Sequence, residues 1–129
     1  MIESRFVLDT NAVIFLVTRG NIVPSVLENV LNEADLFISG ITEIELFSKA
    51  TLPPDEEKNL RAFLSDRIGI IDLSGDVKRV AIELRRAGSL KLPDCIIAAT
   101  SIVLGTVLLT NDDRLLKLSW PGFQTQSIP

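Results

Sequence analysis

The chain has 129 residues, 47% of them hydrophobic, a formal net charge of −4, one cysteine and no histidine. That length suits one domain with a buried core and is too short for two, so residues 1–129 are expected to form a single unit. The missing histidine excludes imidazole acid–base chemistry, a Ser-His-Asp triad and a zinc site built on histidine; a lone cysteine excludes a thiolate zinc site and an internal disulfide.

From the start, Met1 to Arg5 has neither the basic stretch nor the long apolar run of a signal peptide. No segment approaches the roughly 20 apolar residues that span a bilayer. Together with the single Cys95, this fits a reducing cytoplasm. Phe6-Val7-Leu8 is a short apolar run that stops at Asp9, as a buried strand does. A helix carrying Ala12 to Val17 follows. Val26, Leu27, Val30 and Leu31 share one helical face, and Ile22 and Val23 are expected in the core or at a dimer seam. Leu36-Phe37-Ile38-Ser39 predicts a second strand, with Glu43 and Glu45 opening the helix after it. Leu60, Phe63 and Leu64 mark another helix and Ile68-Gly69-Ile70-Ile71 a third strand. Val77, Val80, Ala81 and Leu84 follow the i, i+3, i+4, i+7 spacing of an amphipathic helix. Pro93 starts a helix through Asp94, Cys95, Ile96, Ile97, Ala98 and Ala99 that is apolar nearly all round, so it is expected to be buried; Gly105 ends it. Thr106-Val107-Leu108-Leu109 predicts a fourth strand, and Trp120 and Phe123 are expected to pack.

Short apolar strands alternating with helices imply an α/β fold: a three-layer α/β/α sandwich with a central parallel sheet covered on both faces. In such sheets ligands bind in the crevice beyond the carboxyl ends of the strands. Asp9 follows the first strand, Glu43 and Glu45 the second, and Asp112 and Asp113 the fourth, while Asp94 opens the buried helix. These acids map to one end of the sheet. Converging carboxylates repel one another unless a cation sits between them, and carboxylate oxygens with water are the ligand set of Mg²⁺ and Mn²⁺. Such an ion activates water without histidine. Each acid also has a plainer reading. Asp9 with Thr10 suits a helix cap, Thr42-Glu43-Ile44-Glu45 fits a capping box, Asp94 answers a helix dipole, and Thr110-Asn111-Asp112-Asp113 is a good helix start.

Four segments also resemble the motifs of PIN domains. Val7-Leu8-Asp9-Thr10-Asn11 is similar to their opening motif. Ile38-Ser39-Gly40-Ile41-Thr42-Glu43-Ile44-Glu45-Leu46 resembles the second, in which the acid before leucine is the functional one, which selects Glu45 over Glu43. Leu92-Pro93-Asp94-Cys95-Ile96-Ile97-Ala98-Ala99-Thr100 resembles the third, and Leu108-Leu109-Thr110-Asn111-Asp112 the fourth. Ser48-Lys49-Ala50 departs from the pattern, because many relatives carry glycine there to end the helix. Stand-alone chains of this length look most like the VapC-type toxins of toxin–antitoxin pairs. The resemblance implies a PIN-like sandwich with a site of Asp9, Glu45, Asp94 and Asp112 on Mg²⁺ or Mn²⁺. It implies hydrolysis of RNA to a 5′-phosphate and 3′-hydroxyl, a cognate antitoxin that covers the site, and a homodimer.

Within that frame Asp9 and Asp94 are the expected direct metal ligands. Glu45 completes the set or orients the attacking water, and Asp112 acts from further out. Thr10, Asn11, Thr42 and Thr110 are expected to fix the carboxylates by hydrogen bonds, and Asp113 to be solvated. Lys78, Arg79, Arg85, Arg86 and Lys91 form a basic stretch leading to Asp94; Arg85, Arg86 and Lys91 are candidates for RNA phosphate contact, against the alternative of a solvated helix face. Tyrosine is absent and aromatics are 5% of residues, which argues against a base-stacking platform and for a structured RNA such as tRNA, read by shape. The competing readings are a catalytically silent PIN-like binding module and a structure-specific DNA nuclease. A phosphatase or receiver domain is disfavoured because Asp9-Thr10-Asn11 lacks their second acid.

Overall fold

Phe6, Val7 and Leu8 are all buried, yet they alternate between two cores, and the rest of the architecture follows from that. A strand buried on both faces needs a helical layer on each side. The computed structural model describes residues 5–18 and 32–128. The expected helix through Val26, Leu27, Val30 and Leu31, and the expected core or seam residues Ile22 and Val23, lie outside them.

The strands are β1 (Arg5–Leu8), β2 (Asp35–Ser39), β3 (Ile68–Ile71), β4 (Val107–Leu109) and β5 (Gln124–Gln126). The described helices are α1 (Thr10–Thr18), α2 (Gly40–Phe47), α3 (Pro54–Arg67), α4 (Gly75–Ala87), α5 (Leu92–Leu104) and α6 (Asp113–Lys117). The five strands form one parallel sheet in the order β3-β2-β1-β4-β5. Phe6, Leu8, Leu36, Ile38 and Leu109 face a first core with Ala12, Val13, Leu46, Leu60 and Leu64 of α1, α2 and α3. Val7 and Leu108 face a second core with Val77, Val80, Ala81 and Leu84 of α4 and the buried side of α5. The expected three-layer sandwich is therefore present. β5 is an addition to the four expected strands. Its Gln124-Thr125-Gln126 carries no apolar signal because it is an edge strand, largely exposed and held through backbone pairing to β4.

The helix ends show local chemistry at work. Ser74 accepts a hydrogen bond from the Val77 amide (3.1 Å) and starts α4. Pro93 sits in the first turn of α5, where a missing N–H is harmless. Cys95 through Ser101 are all buried, as the near-continuous apolar character of α5 requires. α2 begins at Gly40, earlier than a capping box on Thr42 would place it, because Ser39 is the cap and accepts from the Ile41 amide (3.2 Å). At the end of α2, Ser48 donates its hydroxyl to the Ile44 carbonyl. Trp120 and Phe123 pack on the second core. No helix among the described residues is long and apolar enough to cross a membrane.

The turn from α5 into β4 delivers Thr110 and Asp112 to the end of the sheet. It depends on Gly105, whose φ of 66° is left-handed and whose position leaves open space for a Cβ. Gly105→Ala is therefore expected to add conformational strain without a clash, lowering stability by about 1–2 kcal/mol. A urea-unfolding midpoint checks this; an unchanged midpoint contradicts it.

Candidate active site

The order of the strands reverses next to β1: β2 and β3 lie to one side of it, β4 and β5 to the other. The crevice at such a switch point, beyond the carboxyl ends of β1 and β4, is where this class of sheet binds ligands. Leu8 pairs with Leu109, so the residues that follow, Asp9 and Thr110, leave the sheet side by side. The Asp9 amide continues the ladder by donating to the Leu109 carbonyl (3.2 Å).

Asp9 is almost fully buried. Its Oδ1 accepts from the Ala12 amide (2.7 Å), which caps α1, and its Oδ2 accepts from the Thr110 hydroxyl. Burial lifts the Asp9 carboxyl above its ordinary value of 3.8; these two hydrogen bonds oppose the rise, and the charges of Asp112 and Glu45 add to it. Asp94 lies in the first turn of α5, and no hydrogen bond among the described residues contributes to the shift of its carboxyl. Its carboxyl is also raised from 3.8, by burial first and then by Asp112, Glu45 and Asp9, with Lys91 acting the other way. Glu45 is exposed, and its Oε1 accepts from the Thr10 hydroxyl (2.7 Å). Asp112 caps α6: its Oδ1 accepts from the amides of Arg114 (2.9 Å) and Leu115 (3.2 Å), and the Thr110 hydroxyl accepts from its own amide (3.0 Å).

Asp9, Glu45, Asp94 and Asp112 thus act on one another electrostatically from four separate elements of the chain. Of the hydroxyls and amide expected to hold them, Thr110 engages Asp9 and Thr10 engages Glu45. Thr42 is buried, with its hydroxyl 3.4 Å from that of Thr10, and reaches no carboxylate directly. Asn11 is exposed and makes no hydrogen bond to a carboxylate among the described residues. Glu43 lines a different cavity, with Phe47, Arg61 and Ile70. Arg85 donates to the Leu90 carbonyl (2.9 Å) and so holds the loop between α4 and α5. Arg86 is exposed on the last turn of α4. Lys91 lines an open cleft of about 460 Å³ with Asp94, Asp112, Asp113, Asn11, Asn111 and Arg114. Arg114 has no counterpart among the sequence expectations; a single cation after two acids reads as an ordinary helix-start charge, and only folding turns it towards Lys91. On the other side, Glu45 borders a cavity of about 500 Å³ walled largely by Ile14, Val17, Leu46 and Leu60 among the described residues.

The PIN domain model matches residues 6–121. The chain belongs to the PIN domain family. No curated protein matches it by sequence. Among solved structures, this PIN domain is similar to the VapBC2 of Rickettsia felis bound to a DNA fragment from their promoter (TM-score 0.77, 23% identity, covering 97% of this chain and 99% of that one). It is also similar to the DNA-bound VapBC of Salmonella typhimurium (0.74, 26%, 95% and 97%) and to a toxin–antitoxin complex from Klebsiella pneumoniae (0.69, 28%, 91% and 93%).

The donor set of this PIN domain is all oxygen, carries a net negative charge and includes two carboxyls that burial and mutual repulsion hold above their ordinary value. That chemistry fits a hard divalent cation. As the side chains stand, no group of three or more acids or thiols among the described residues is gathered closely enough to hold an ion. A cation would therefore have to draw the carboxylates inward.

The raised carboxyls have a consequence for stability. A folded-state value above 3.8 means the folded chain binds these protons more tightly than the unfolded chain. Their favourable contribution is full below 3.8 and is lost as pH rises through the raised values. Asp94→Asn removes one such group. In EDTA the variant is expected to be more stable than the unsubstituted chain at neutral pH, with the gap closing towards pH 4. Urea midpoints across this range check it; a variant less stable at neutral pH would count against the shift.

Proposed function

We propose that this PIN domain is a metal-dependent endoribonuclease of the VapC toxin type, folded as one domain throughout and acting in the cytoplasm. The observation that carries the reading is the convergence of Asp9, Glu45, Asp94 and Asp112 at the switch point of the sheet, with no histidine in the chain to serve instead. The likeness to the Salmonella VapBC and the Klebsiella toxin–antitoxin complex, each above one quarter identity, supports a toxin role with a cognate antitoxin that covers the site. A homodimer belongs to the same proposal.

Bound Mg²⁺ or Mn²⁺ would lower the pKa of a ligated water and stabilise negative charge on the phosphodiester. Asp9 and Asp94 would hold the ion. Asp9 is already oriented through both oxygens, by Ala12 and Thr110, while no hydrogen bond among the described residues contributes to the shift of the Asp94 carboxyl. Thr10 occupies Glu45 Oε1 and leaves Oε2 to accept a hydrogen bond from the attacking water and aim it at phosphorus. Asp112 keeps Oδ2 free of its capping bonds and would act as an outer ligand or through water. Hydrolysis leaves a 5′-phosphate and a 3′-hydroxyl.

Purified chain incubated with tRNA, ribosomal RNA and messenger RNA is expected to cut in Mn²⁺ and not in EDTA. Asp9→Asn is expected to lower the rate by about 10²-fold or more, the scale on which loss of a metal-holding group acts. Cleavage that survives both EDTA and Asp9→Asn would sink the metal mechanism. Mn²⁺ at about a hundred times its Kd is expected to stabilise the fold by about 2.7 kcal/mol, and Asp94→Asn to abolish most of that gain. An equal melting shift in the variant would remove Asp94 from the ligand set.

A further inference from the structure

The site is flanked by two different environments. Towards Glu45 the wall is largely apolar among the described residues. Towards Asp94 and Asp112 the cleft is polar and presents two cations, Lys91 and Arg114. Both are exposed, and neither takes part in an ion pair among the described residues. The other basic residues of the expected stretch are engaged or placed elsewhere: Arg85 holds Leu90 and Arg79 pairs with Asp76 at 3.5 Å. Lys91 and Arg114 come from segments 23 residues apart and meet only because α5 and α6 both begin at this end of the sheet. These long cations line a concavity that holds three carboxylates, Asp94, Asp112 and Asp113, and offset part of the repulsion those acids exert on a polyanion. Asn111 gives its side-chain oxygen to the Ile128 amide (2.8 Å), which leaves its amide donors for a ligand in the same cleft.

We propose that Lys91 and Arg114 hold the phosphates of the RNA strand on one flank of the scissile phosphate, so that the substrate backbone runs through the polar cleft past Asp94 and Asp112. Resting on the nuclease reading, this assigns it a strand path and one substrate-contacting residue, Arg114, outside the family motifs. Lys91 reaches a phosphate as a flexible point charge, whereas the Arg114 guanidinium suits a bidentate contact. Arg85 and Arg86 take no part.

Phosphate contacts leave a signature in salt dependence that a structural role does not. Each phosphate neutralised on a single strand contributes about 0.7 to the slope of log K against log salt. Binding of fluorescein-labelled oligouridine RNA, followed by anisotropy in Ca²⁺ over a sodium chloride series, reads that slope. Lys91→Gln and Arg114→Gln are each expected to weaken binding and reduce the slope by about 0.7, and the double variant by about 1.4. Lys91→Arg, Arg86→Gln and, at an exposed position of α3, Lys58→Gln are expected to leave it unchanged. Melting temperatures near that of the unsubstituted chain confirm that the variants fold. RNA binding with the same slope in the double variant overturns the proposal and leaves the nuclease reading intact. Failure of the unsubstituted chain to bind RNA at all overturns both. Slopes that fall as expected, in a chain that does not cut RNA in Mn²⁺, support the cleft and overturn the nuclease reading.

Discussion

Like charges brought together out of water set the terms for this protein. Asp9 is almost wholly buried and Asp94 partly so, and each feels the charges of other acids at the same end of the sheet. Left to itself such a cluster would swell or protonate. The backbone prevents the first: β1 and β4 pair through Leu8 and Leu109, and the helices that follow or face them are anchored in two apolar cores. Local donors limit the second at Asp9, where the Ala12 amide and Thr110 hydroxyl favour the charged form. What remains is a negative charge that Lys91 relieves in part at Asp94 and that, in the proposed function, a hard cation relieves further. Stability given up in the metal-free state is the physical counterpart of affinity for an ion.

Capping does not compete with the proposed ligand role of these acids. Asp9 and Asp112 each spend oxygen lone pairs on helix-start amides and retain others, so one carboxylate both starts a helix and faces the crevice. The helix bonds also orient the carboxylate, which a metal site requires. Asp94 differs. It lies in the first turn of a helix buried along most of its length, and no hydrogen bond among the described residues contributes to the shift of its carboxyl. Favourable contact with the helix dipole is the local reason for its place, and the shared crevice is the larger one.

The two sides of the site differ in the chemistry they offer. Lys91 and Arg114 face Asp94 and Asp112 across polar walls, while Glu45 borders a largely apolar cavity among the described residues. The first carries two cations among three carboxylates, and the second carries Lys49, Glu56 and Asn59 among its apolar walls. The proposed strand path follows the first, where Lys91 and Arg114 offer local positive charge in a chain with a net charge of −4.

Short apolar runs made the strands β1 to β4, the parallel sheet and the sandwich legible in the sequence; for the central strand β1, burial on both faces demands that continuous hydrophobicity. Asp9, Asp94 and Asp112 were legible for the same local reason, since each directly follows or opens an element; Glu45 was singled out only by the resemblance of its motif, because it lies in the second half of α2 and not at its start as expected. The start of α2 at Gly40 was less legible, since Ser39 and Thr42 are both chemically able to cap and only packing decides between them. The polar edge strand β5 was invisible, because its pairing is made by backbone atoms that every sequence shares. The sequence by itself determined which residues are buried, where the chain turns and which acids stand at the turns, all properties of neighbours along the chain. Tertiary structure decided the rest. It separated Arg85, tied to Leu90, from Lys91, open to the cleft, and it brought Arg114 beside Lys91. Those relations depend on the order in which strands pair across the sheet, and no local property of the chain encodes that order.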